Sequence, residues 1–405
     1  MPHRPHPSAV PRSGEWRLVR RAEHLLVAVV AAALLTPGVA TLAGLDREVL
    51  RDVPATAASD DVRGVFVSLA GLAREFEARF AFRARLVRWQ AGLRYRWLGV
   101  SPLPTVLRGR DGWWFYGDDG SIDDATHATP FTAVELEAWR VALQHTTDFL
   151  AARGIAYVFV LAPDKHTIYP EFLPATMRRA AGRRVRADQL VTMLRGHTTV
   201  PVVDLRQGLL DAKAQARVYH LTDSHWNDLG AAEAYRRIVT AVRMQAPAVP
   251  PAAPAEAFVV TPRTTPGMDL AEMAGLASLT SETDLTLVPR TPRRARVVEP
   301  ARPHPGYIGP RLVTALDDPA LPRALIYRDS FGSALVPFLA EHFSRAVVLW
   351  EYDVMPATVR EEHPAVVIQE WAGRRLHTRL PYDAVADDPA ALAEIAANSS
   401  RAGRR

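Results

Sequence analysis

The sequence predicts an α/β protein with a doubly wound parallel sheet, preceded by an N-terminal transmembrane helix and a helical stalk. Continuous apolar runs at 155–162 and 200–205 are typical of strands buried on both faces of a parallel sheet. These runs alternate with segments of helical periodicity, which is the pattern of a doubly wound sheet. We expect this domain to span residues 99–385.

The N-terminus predicts a membrane anchor. Residues 1–24 form a basic tail, and residues 25–45 contain no charged side chain. As a helix, this uncharged run would be long enough to cross a hydrocarbon core of about 30 Å. Basic residues before the run predict a cytoplasmic N-terminus, so the rest of the chain would face the periplasm or the cell exterior. A cleaved signal peptide is the alternative, because residues 37–40 resemble a helix break before a cleavage site. The length of the run favours an uncleaved, single-pass anchor.

Two elements precede the main sheet. Residues 46–98 are predicted to be a helical stalk, since large apolar side chains recur at helical spacing from residue 60 onward. Residues 106–116 predict a β-hairpin, with an Arg-Asp-Gly turn flanked by apolar and aromatic residues.

Helices and strands then alternate along the chain. A helix from Thr132 to about Arg153 ends at Gly154, where the strand 155–162 begins. The helix that starts at residue 228 has Asn227 or Asp228 as its cap. The remaining predicted elements are a helix at 187–196, a strand at 200–205, a helix at 228–244, strands at 324–327, 346–350 and 365–369, and a helix at 333–343.

Two segments are predicted to lack regular structure. Residues 246–266 are rich in proline, which indicates a surface insertion. Residues 386–405 read as a C-terminal tail, polar and disordered from Asn398 onward.

Composition excludes several classes of function. The 405 residues include 49 basic and 44 acidic side chains, and the arginines are too scattered for a nucleic-acid-binding surface. The chain has no cysteine, which excludes disulfides, thiolate metal sites and a cysteine nucleophile.

Two short segments together carry acyl-transfer chemistry. Asp223 and His225 are two apart in an extended segment, so both side chains project from the same face. Ser330 follows the predicted strand 324–327, where an α/β protein presents a nucleophile. The three residues predict a nucleophile, a general base and an acid that orients the base.

The helix predicted near Gly332 would direct backbone N–H groups toward Ser330 and form an oxyanion hole. Metal binding by Asp223, His225 and Asp329 is the competing hypothesis, but it lacks further ligands at suitable spacing. We therefore expect neither a metal nor a cofactor.

Five motifs resemble the alginate O-acetyltransferase family, the AlgJ/AlgX-like proteins with an SGNH hydrolase-like domain. They are FAFRARL at 80–86, GRDGWWFY at 109–116, APDKHTIYPEFLP at 162–174, TDSHWN at 222–227 and RDSFG at 328–332. The resemblance implies O-acetylation of an extracellular polysaccharide, with a membrane-bound O-acyltransferase partner supplying acetyl groups. It places the nucleophile on Ser330, the base on His225 and the acid on Asp223.

Further residues are candidates for the oxyanion hole or substrate. Arg328 stands where many family members have glycine, so it either narrows the approach to the oxyanion hole or pairs with an anionic sugar. Trp226 either stacks on a sugar or shields the triad from water, and the second is favoured. Residues 164–166 are candidates for the edge of the site, with a structural role for Asp164 and Lys165 as the alternative. Tyr169 touches substrate or packs beneath its loop.

Residues 369–370 either reach the site or lie at the surface, and residues 374–375 are expected to be solvated. Other functions remain open: an SGNH-type carbohydrate esterase would use the same triad with water as acceptor. A non-catalytic envelope protein would keep the fold for polymer binding or assembly.

Overall fold

The computed structural model describes most of the chain. The described residues are 28, 31–32, 35–36, 89–99, 101–126, 129–178, 185–303 and 308–402. They belong to two compact units, Met1–Leu93 and Arg94–Arg405.

The N-terminal predictions fall largely outside the described residues. This holds for the whole basic tail (1–24), for most of the anchor (25–45) and for residues 46–88 of the stalk. The few described residues of the anchor are helical, as are residues 89–98 at the end of the stalk. Across the part of the chain that the structure describes, no helix combines the length and apolar character needed to cross a membrane.

A seven-stranded sheet forms the centre of the second unit. Its strands are β3 (Ala156–Ala162), β4 (Val202–Asp204), β7 (Arg296–Pro303), β8 (Pro310–Ala315), β9 (Arg323–Arg328), β10 (Arg345–Trp350) and β11 (Val366–Ala372). The order across the sheet is β4-β3-β11-β9-β10-β8-β7. The first five strands in this order, β4, β3, β11, β9 and β10, pair in parallel. Strands β8 and β7 extend the sheet in antiparallel fashion. The prediction of a mostly parallel α/β sheet is confirmed.

The central strands are buried on both faces. Strand β11 inserts between β3 and β9, and every residue of β3 and β11 is buried. Successive side chains of β3 pack on opposite faces of the sheet. Val158 and Val160 belong to one apolar cluster, and Tyr157 and Phe159 belong to the other. This alternation explains why β3 reads as a continuous apolar run.

Helices cover both faces of the sheet. They include α1 (Ala133–Ala152), α2 (Arg186–His197), α3 (Arg206–Lys213), α4 (Asp228–Gln245), α5 (Pro356–Glu362) and α6 (Pro389–Ala402). Helix α4 contributes Ile238 and Val239 to one cluster, whereas α1 and α2 contribute to the other. Asn227 caps α4, because its side chain accepts a hydrogen bond from the N–H of Gly230 at 3.1 Å.

The predicted hairpin is confirmed as β1 (Val106–Arg108) paired antiparallel with β2 (Trp114–Tyr116). The expectation of irregular structure throughout 246–266 is wrong. Residues Phe258–Pro266 form strand β5, which pairs along its whole length with β6 (Ser281–Pro289). Proline is tolerated there because each strand of a two-stranded ribbon has one edge without a partner strand. A residue whose N–H would point to that edge makes no inter-strand hydrogen bond that proline could remove.

The predicted tail, 386–405, is also corrected. Its residues up to Ala402 include helix α6, whose Ala391 is fully buried. Glu394 on this helix pairs with Arg153 at the end of α1, at 2.6 Å. Ala391 and Ile395 of α6 pack on the core cluster that includes α1, and this packing orders a segment that looks polar by composition.

The helix predicted at 333–343 is broken into short turns. The chain forms a 3₁₀ turn at Phe331–Ala334, one α-helical turn at Val336–Leu339 and another 3₁₀ turn at Ala340–His342. Pro337 has no N–H to continue an uninterrupted helix from residue 333, which accounts for the break.

Candidate active site

The candidate site lies at the carboxyl ends of the central strands, where open α/β sheets bind ligands. Ser330 follows β9, and the polar residues Asp164 and Arg374 follow β3 and β11. An irregular loop at 217–227, closed by an isolated antiparallel bridge between Tyr219 and Trp226, carries the other predicted catalytic residues.

Ser330, His225 and Asp223 form one chain of hydrogen bonds. Nε2 of His225 is 2.8 Å from Oγ of Ser330, and Nδ1 is 2.7 Å from Oδ1 of Asp223. The backbone N–H of His225 also donates to Oδ1 of Asp223, at 2.9 Å. The three predicted side chains are therefore within reach of one another, and their catalytic roles stay a prediction.

The carboxyl group of Asp223 is ionised in this arrangement. Burial acts to raise its pKa, but the hydrogen bond and charge of His225, with the charge of His220, hold the pKa of Asp223 well below its ordinary value. A carboxylate at Nδ1 fixes which ring nitrogen carries the proton and leaves Nε2 facing Ser330.

The turn that carries Ser330 is fixed by buried carboxyl groups. Asp329 accepts backbone N–H groups from Phe331 and from Ala372 of β11, both at 2.9 Å. Glu370 of β11 accepts the N–H of Asp329 at 3.0 Å. Within the described residues, the carboxylate that lies near the ligand atoms of Asp223 and His225 is that of Asp269, so the predicted metal set of Asp223, His225 and Asp329 is not brought together.

The backbone N–H groups of Ser330 and Gly332 are available at this turn. Within the described residues neither group donates a hydrogen bond to the protein. Unpaired N–H groups beside a nucleophile are the donors that an oxyanion hole requires.

The side chain of Arg328 is buried, which argues against pairing with an anionic sugar, and narrowing of the oxyanion hole stays a prediction. Its Nη1 donates to the carbonyl of Asp329 at 3.0 Å and to Oγ of Ser333 at 2.9 Å. Its guanidinium lies 4.6 Å from the centre of the Trp350 ring. A Cβ on Gly332 would lie 2.5 Å from Cβ of Arg328, so the packing of Arg328 requires glycine at this position.

Lys165 supports the base-bearing loop instead of binding substrate. Its buried Nζ donates to the carbonyls of His220 and Leu221, at 2.9 and 3.0 Å. Burial lowers the pKa of Lys165 to about 7, although the nearby negative charge of Asp223 acts to raise this pKa.

Trp226 and Tyr169 are likewise buried. Trp226 packs edge-to-face on Phe331, with ring centres 5.0 Å apart, so its buried ring is not free to stack on a sugar, and its shielding of the triad from water stays a prediction. The hydroxyl of Tyr169 accepts the N–H of Val218 at 2.9 Å. Both aromatic residues therefore lie under the loop, and neither presents a face to substrate.

Arg374, predicted to be solvated, is buried. Its Nη1 bonds Asp164 at 2.8 Å, and its guanidinium lies 5.0 and 5.2 Å from the ring centres of Tyr116 and Phe331. The structural alternative for Asp164 is confirmed. His166 is also buried, with Nε2 2.8 Å from Oδ2 of Asp124.

Three carboxylates that sequence reasoning missed hold the base-bearing loop: Asp269, Glu282 and Asp284. Glu282 of β6 accepts the N–H of Leu221 at 3.0 Å and that of Thr222 at 2.6 Å. A signal was present, because residues 282 and 284 are two apart in an alternating run and so share one face of a strand.

Asp284 binds the two ends of the same loop. Its Oδ1 accepts from Nδ2 of Asn227 at 2.8 Å, and its Oδ2 is 3.0 Å from Arg217 and 2.8 Å from His220. Burial opposes protonation of His220, but the nearby carboxylates of Asp284 and Glu282 raise its pKa to about 9. For Glu282, burial is outweighed by the nearby His220 and by bonds from Thr222, which lower the pKa to about 2.

Asp269 accepts from Ser224, the residue between the predicted acid and base. The N–H of Ser224 donates to Oδ1 at 2.8 Å, and its hydroxyl donates to Oδ2 at 2.7 Å. Burial and then the charge of Asp223 raise the pKa of Asp269. No sequence motif marks this residue, which begins a helix of five residues, Asp269–Met273.

Comparison with known proteins identifies relatives of this domain. The family described as "SGNH hydrolase-like domain, acetyltransferase AlgX" matches residues 106–353, more than half of the chain. The probable alginate O-acetylase AlgJ of Pseudomonas aeruginosa is 28% identical over 140 residues, 35% of this chain and 34% of that protein. AlgJ of Pseudomonas syringae pv. tomato is 27% identical over 148 residues, 36% and 35% of the two chains. The chain thus spans about a third of the length of these curated relatives.

Solved structures resemble this chain at low identity. Bacillus cereus PatB1 with a sulfonyl adduct is 17% identical, with a TM-score of 0.49, over 67% of this chain and 97% of that one. The O-acetyltransferase domain of Pseudomonas putida AlgJ is 21% identical, with a TM-score of 0.41, over 74% of this chain and 100% of that one. The family match confirms the resemblance that the motifs indicate, and the SGNH hydrolase-like fold.

Proposed function

Because the chain belongs to the AlgJ/AlgX-like family of SGNH hydrolase-like acetyltransferases, we propose that it O-acetylates an extracellular polysaccharide through a Ser330 acyl-enzyme. The observation that carries this proposal is the hydrogen-bonded chain from Ser330 through His225 to Asp223. The named activity of the curated relatives, alginate O-acetylation, supports a polysaccharide acceptor.

The first half-reaction forms the acyl-enzyme. His225 Nε2 takes the proton of Ser330 as Oγ attacks the acetyl carbonyl carbon, and Asp223 stabilises the imidazolium that forms. The N–H groups of Ser330 and Gly332 donate to the developing oxyanion. When the intermediate collapses, the bond to the leaving group breaks and His225 returns the proton to it.

The second half-reaction transfers the acetyl group to a sugar. A sugar hydroxyl gives its proton to His225 and attacks the acyl carbon, and collapse of the second intermediate breaks the bond to Oγ. His225 then reprotonates Ser330. No step in this sequence uses a side chain beyond the triad for proton transfer.

The cellular setting is part of the same proposal. A membrane-bound O-acyltransferase would supply the acetyl groups, and residues 25–45 would anchor the chain with its catalytic domain on the periplasmic side. In this arrangement the donor system and the polymer meet at the membrane surface.

The test uses the full chain in detergent with an activated acetyl ester, with and without candidate oligosaccharides. We expect acetylated oligosaccharide by mass spectrometry, an acetyl group on Ser330 after rapid quenching, and loss of both in Ser330→Ala. Ester hydrolysis that no oligosaccharide diverts would instead identify a carbohydrate esterase. Full acetylation by Ser330→Ala would overturn the triad, and wild-type acetylation no greater than in the protein-free reaction would leave the non-catalytic hypothesis.

A further inference from the structure

We propose that Asp269 is a positioning residue for His225, acting through Ser224. The inference deepens the proposed function and rests on it, because it concerns how the general base is held. It assigns a role to Asp269, which lies just after the proline-rich segment 246–266 that the sequence indicates as a surface insertion.

Three oxygen atoms surround Nδ1 of His225. Oδ1 of Asp223 is 2.7 Å away, Oγ of Ser224 is 3.2 Å away, and Oδ2 of Asp269 is 3.6 Å away. Asp223 accepts the imidazole N–H directly, whereas Asp269 reaches the ring through the hydroxyl of Ser224. The Nδ1 side of the ring therefore faces two carboxylates and a hydroxyl that one of them orients.

Ser224 is held at both of its polar ends. Asp269 accepts its backbone N–H at 2.8 Å and its hydroxyl at 2.7 Å. A residue fixed by its backbone and its side chain cannot rotate independently, so the peptide that joins Asp223 to His225 is fixed as well.

Asp269 is itself fixed to the loop by backbone contacts. The N–H groups of Leu270 and Ala271 donate to the carbonyl of Thr222, at 3.0 and 3.3 Å. The N–H of Met268 donates to the Thr222 hydroxyl at 3.0 Å. The short helix and the loop thus form one hydrogen-bonded body, and the carboxylate of Asp269 cannot move without Thr222.

The imidazole also meets Phe331 edge-to-face, with ring centres 4.8 Å apart. His225 is therefore held by Phe331 and by the Asp223–Ser224–Asp269 group at Nδ1, with Nε2 toward Ser330. Loss of Asp269 would let the ring tilt, and small misplacements of a catalytic group cost roughly 10²-fold in rate.

The test compares Asp269→Asn, Ser224→Ala and the double variant in the full chain. Glu272→Gln is the matched control, because Glu272 is exposed on the same short helix and loses the same charge. The readouts are kcat and KM for an activated acetyl ester, and the rate at which a sulfonyl fluoride labels Ser330. Thermal unfolding checks that each variant is folded.

We expect Asp269→Asn to lower kcat and the labelling rate by roughly 10–100-fold, with KM nearly unchanged. The double variant should lose no more than the worse single variant, because both changes remove one interaction. Glu272→Gln should match the wild type.

Wild-type kcat in Asp269→Asn, or additive losses in the double variant, would overturn this inference. If Asp269→Asn does not fold, Ser224→Ala decides, and unchanged kcat in that variant overturns it. Failure of the proposed function looks different: the wild type would then not be labelled at Ser330.

Discussion

The two halves of the candidate site are supported in different ways. The Ser330 turn is held by the sheet itself, through Asp329 and Glu370 beside strands β9 and β11. The loop that carries His225 lies outside the central sheet and is held by carboxylates that are not part of that sheet, chiefly Glu282 of β6 and Asp269.

The difference concerns ionisation as well as position. Burial, and then the charge of Asp329, raise the pKa of Glu370 well above its ordinary value, which favours the protonated acid. Glu282 is as buried, but the nearby His220 and the N–H groups of the loop lower its pKa to about 2. The fold thus shifts the pKa values of these two buried glutamates in opposite directions, and Glu282 is the charged anchor of the loop.

The largest expected effect comes from Glu282→Gln, which breaks the charged anchor. The amide cannot accept all the donors of residues 221–222 or balance protonated His220. Removing one partner of a buried ion pair costs about 3–5 kcal/mol. Chemical denaturation should show this loss together with a fall in kcat, and a change below about 1 kcal/mol would mean that the loop is held elsewhere.

Raising the pH should loosen the same loop without any mutation. The fold raises the pKa of His220 from 6.5 to about 9, so protonated His220 makes its full contribution to the free energy of unfolding below about pH 6.5. That contribution to stability, about 3 kcal/mol, is lost as the pH rises through about 9. Unfolding free energies across this range should fall in the wild type and be flatter in His220→Gln; equal slopes would contradict the assignment.

On the nucleophile side, Gly332→Ala should strain the turn against Arg328. The new Cβ would lie 2.5 Å from the Arg328 Cβ, and overpacking of this kind costs about 1–3 kcal/mol. A lower melting temperature and a lower kcat are expected. Gly196→Ala is the control, because Gly196 lies in helix α2 with open space around it. This substitution should stabilise the protein by about 0.5–1 kcal/mol.

The smallest effect should come from Glu370→Gln, the same substitution as at Glu282. Glutamine keeps the size and neutrality of the protonated acid and can still accept the N–H of Asp329. We expect the unfolding free energy to change by no more than about 1 kcal/mol, the scale of one hydrogen bond. A loss as large as that of Glu282→Gln would show that Glu370 is charged and would erase the contrast between the two sides.

The same contrast explains what could be predicted from the sequence. Ser330 is found by a local rule, since it follows a strand whose apolar run is visible in the sequence. Asp223 and His225 are found because residues two apart in an extended segment share a face. The five parallel strands of the central sheet were predicted, because burial on both faces leaves a simple pattern of apolar residues, whereas its antiparallel strands β8 and β7 were not.

The supports of the loop depend on pairing between distant segments, and no local rule reveals them. Glu282 reaches Thr222 only because β6 pairs with β5, and the prolines of β5 conceal that strand from pattern analysis. Arg374 was misplaced for a related reason. It has an amphipathic side chain, and its burial depends on what the fold packs above it.

Strand β7 has a consequence for how copies of this protein meet each other. It is the last strand of the sheet, all of its residues are exposed, and its pairing with β8 shifts register at two places. Pro300 and Pro303 offer no N–H to an incoming strand, and the flanking Arg and Glu side chains repel or solvate one. The irregular edge formed by β7 is thus poorly suited to pair with the edge strand of a second copy.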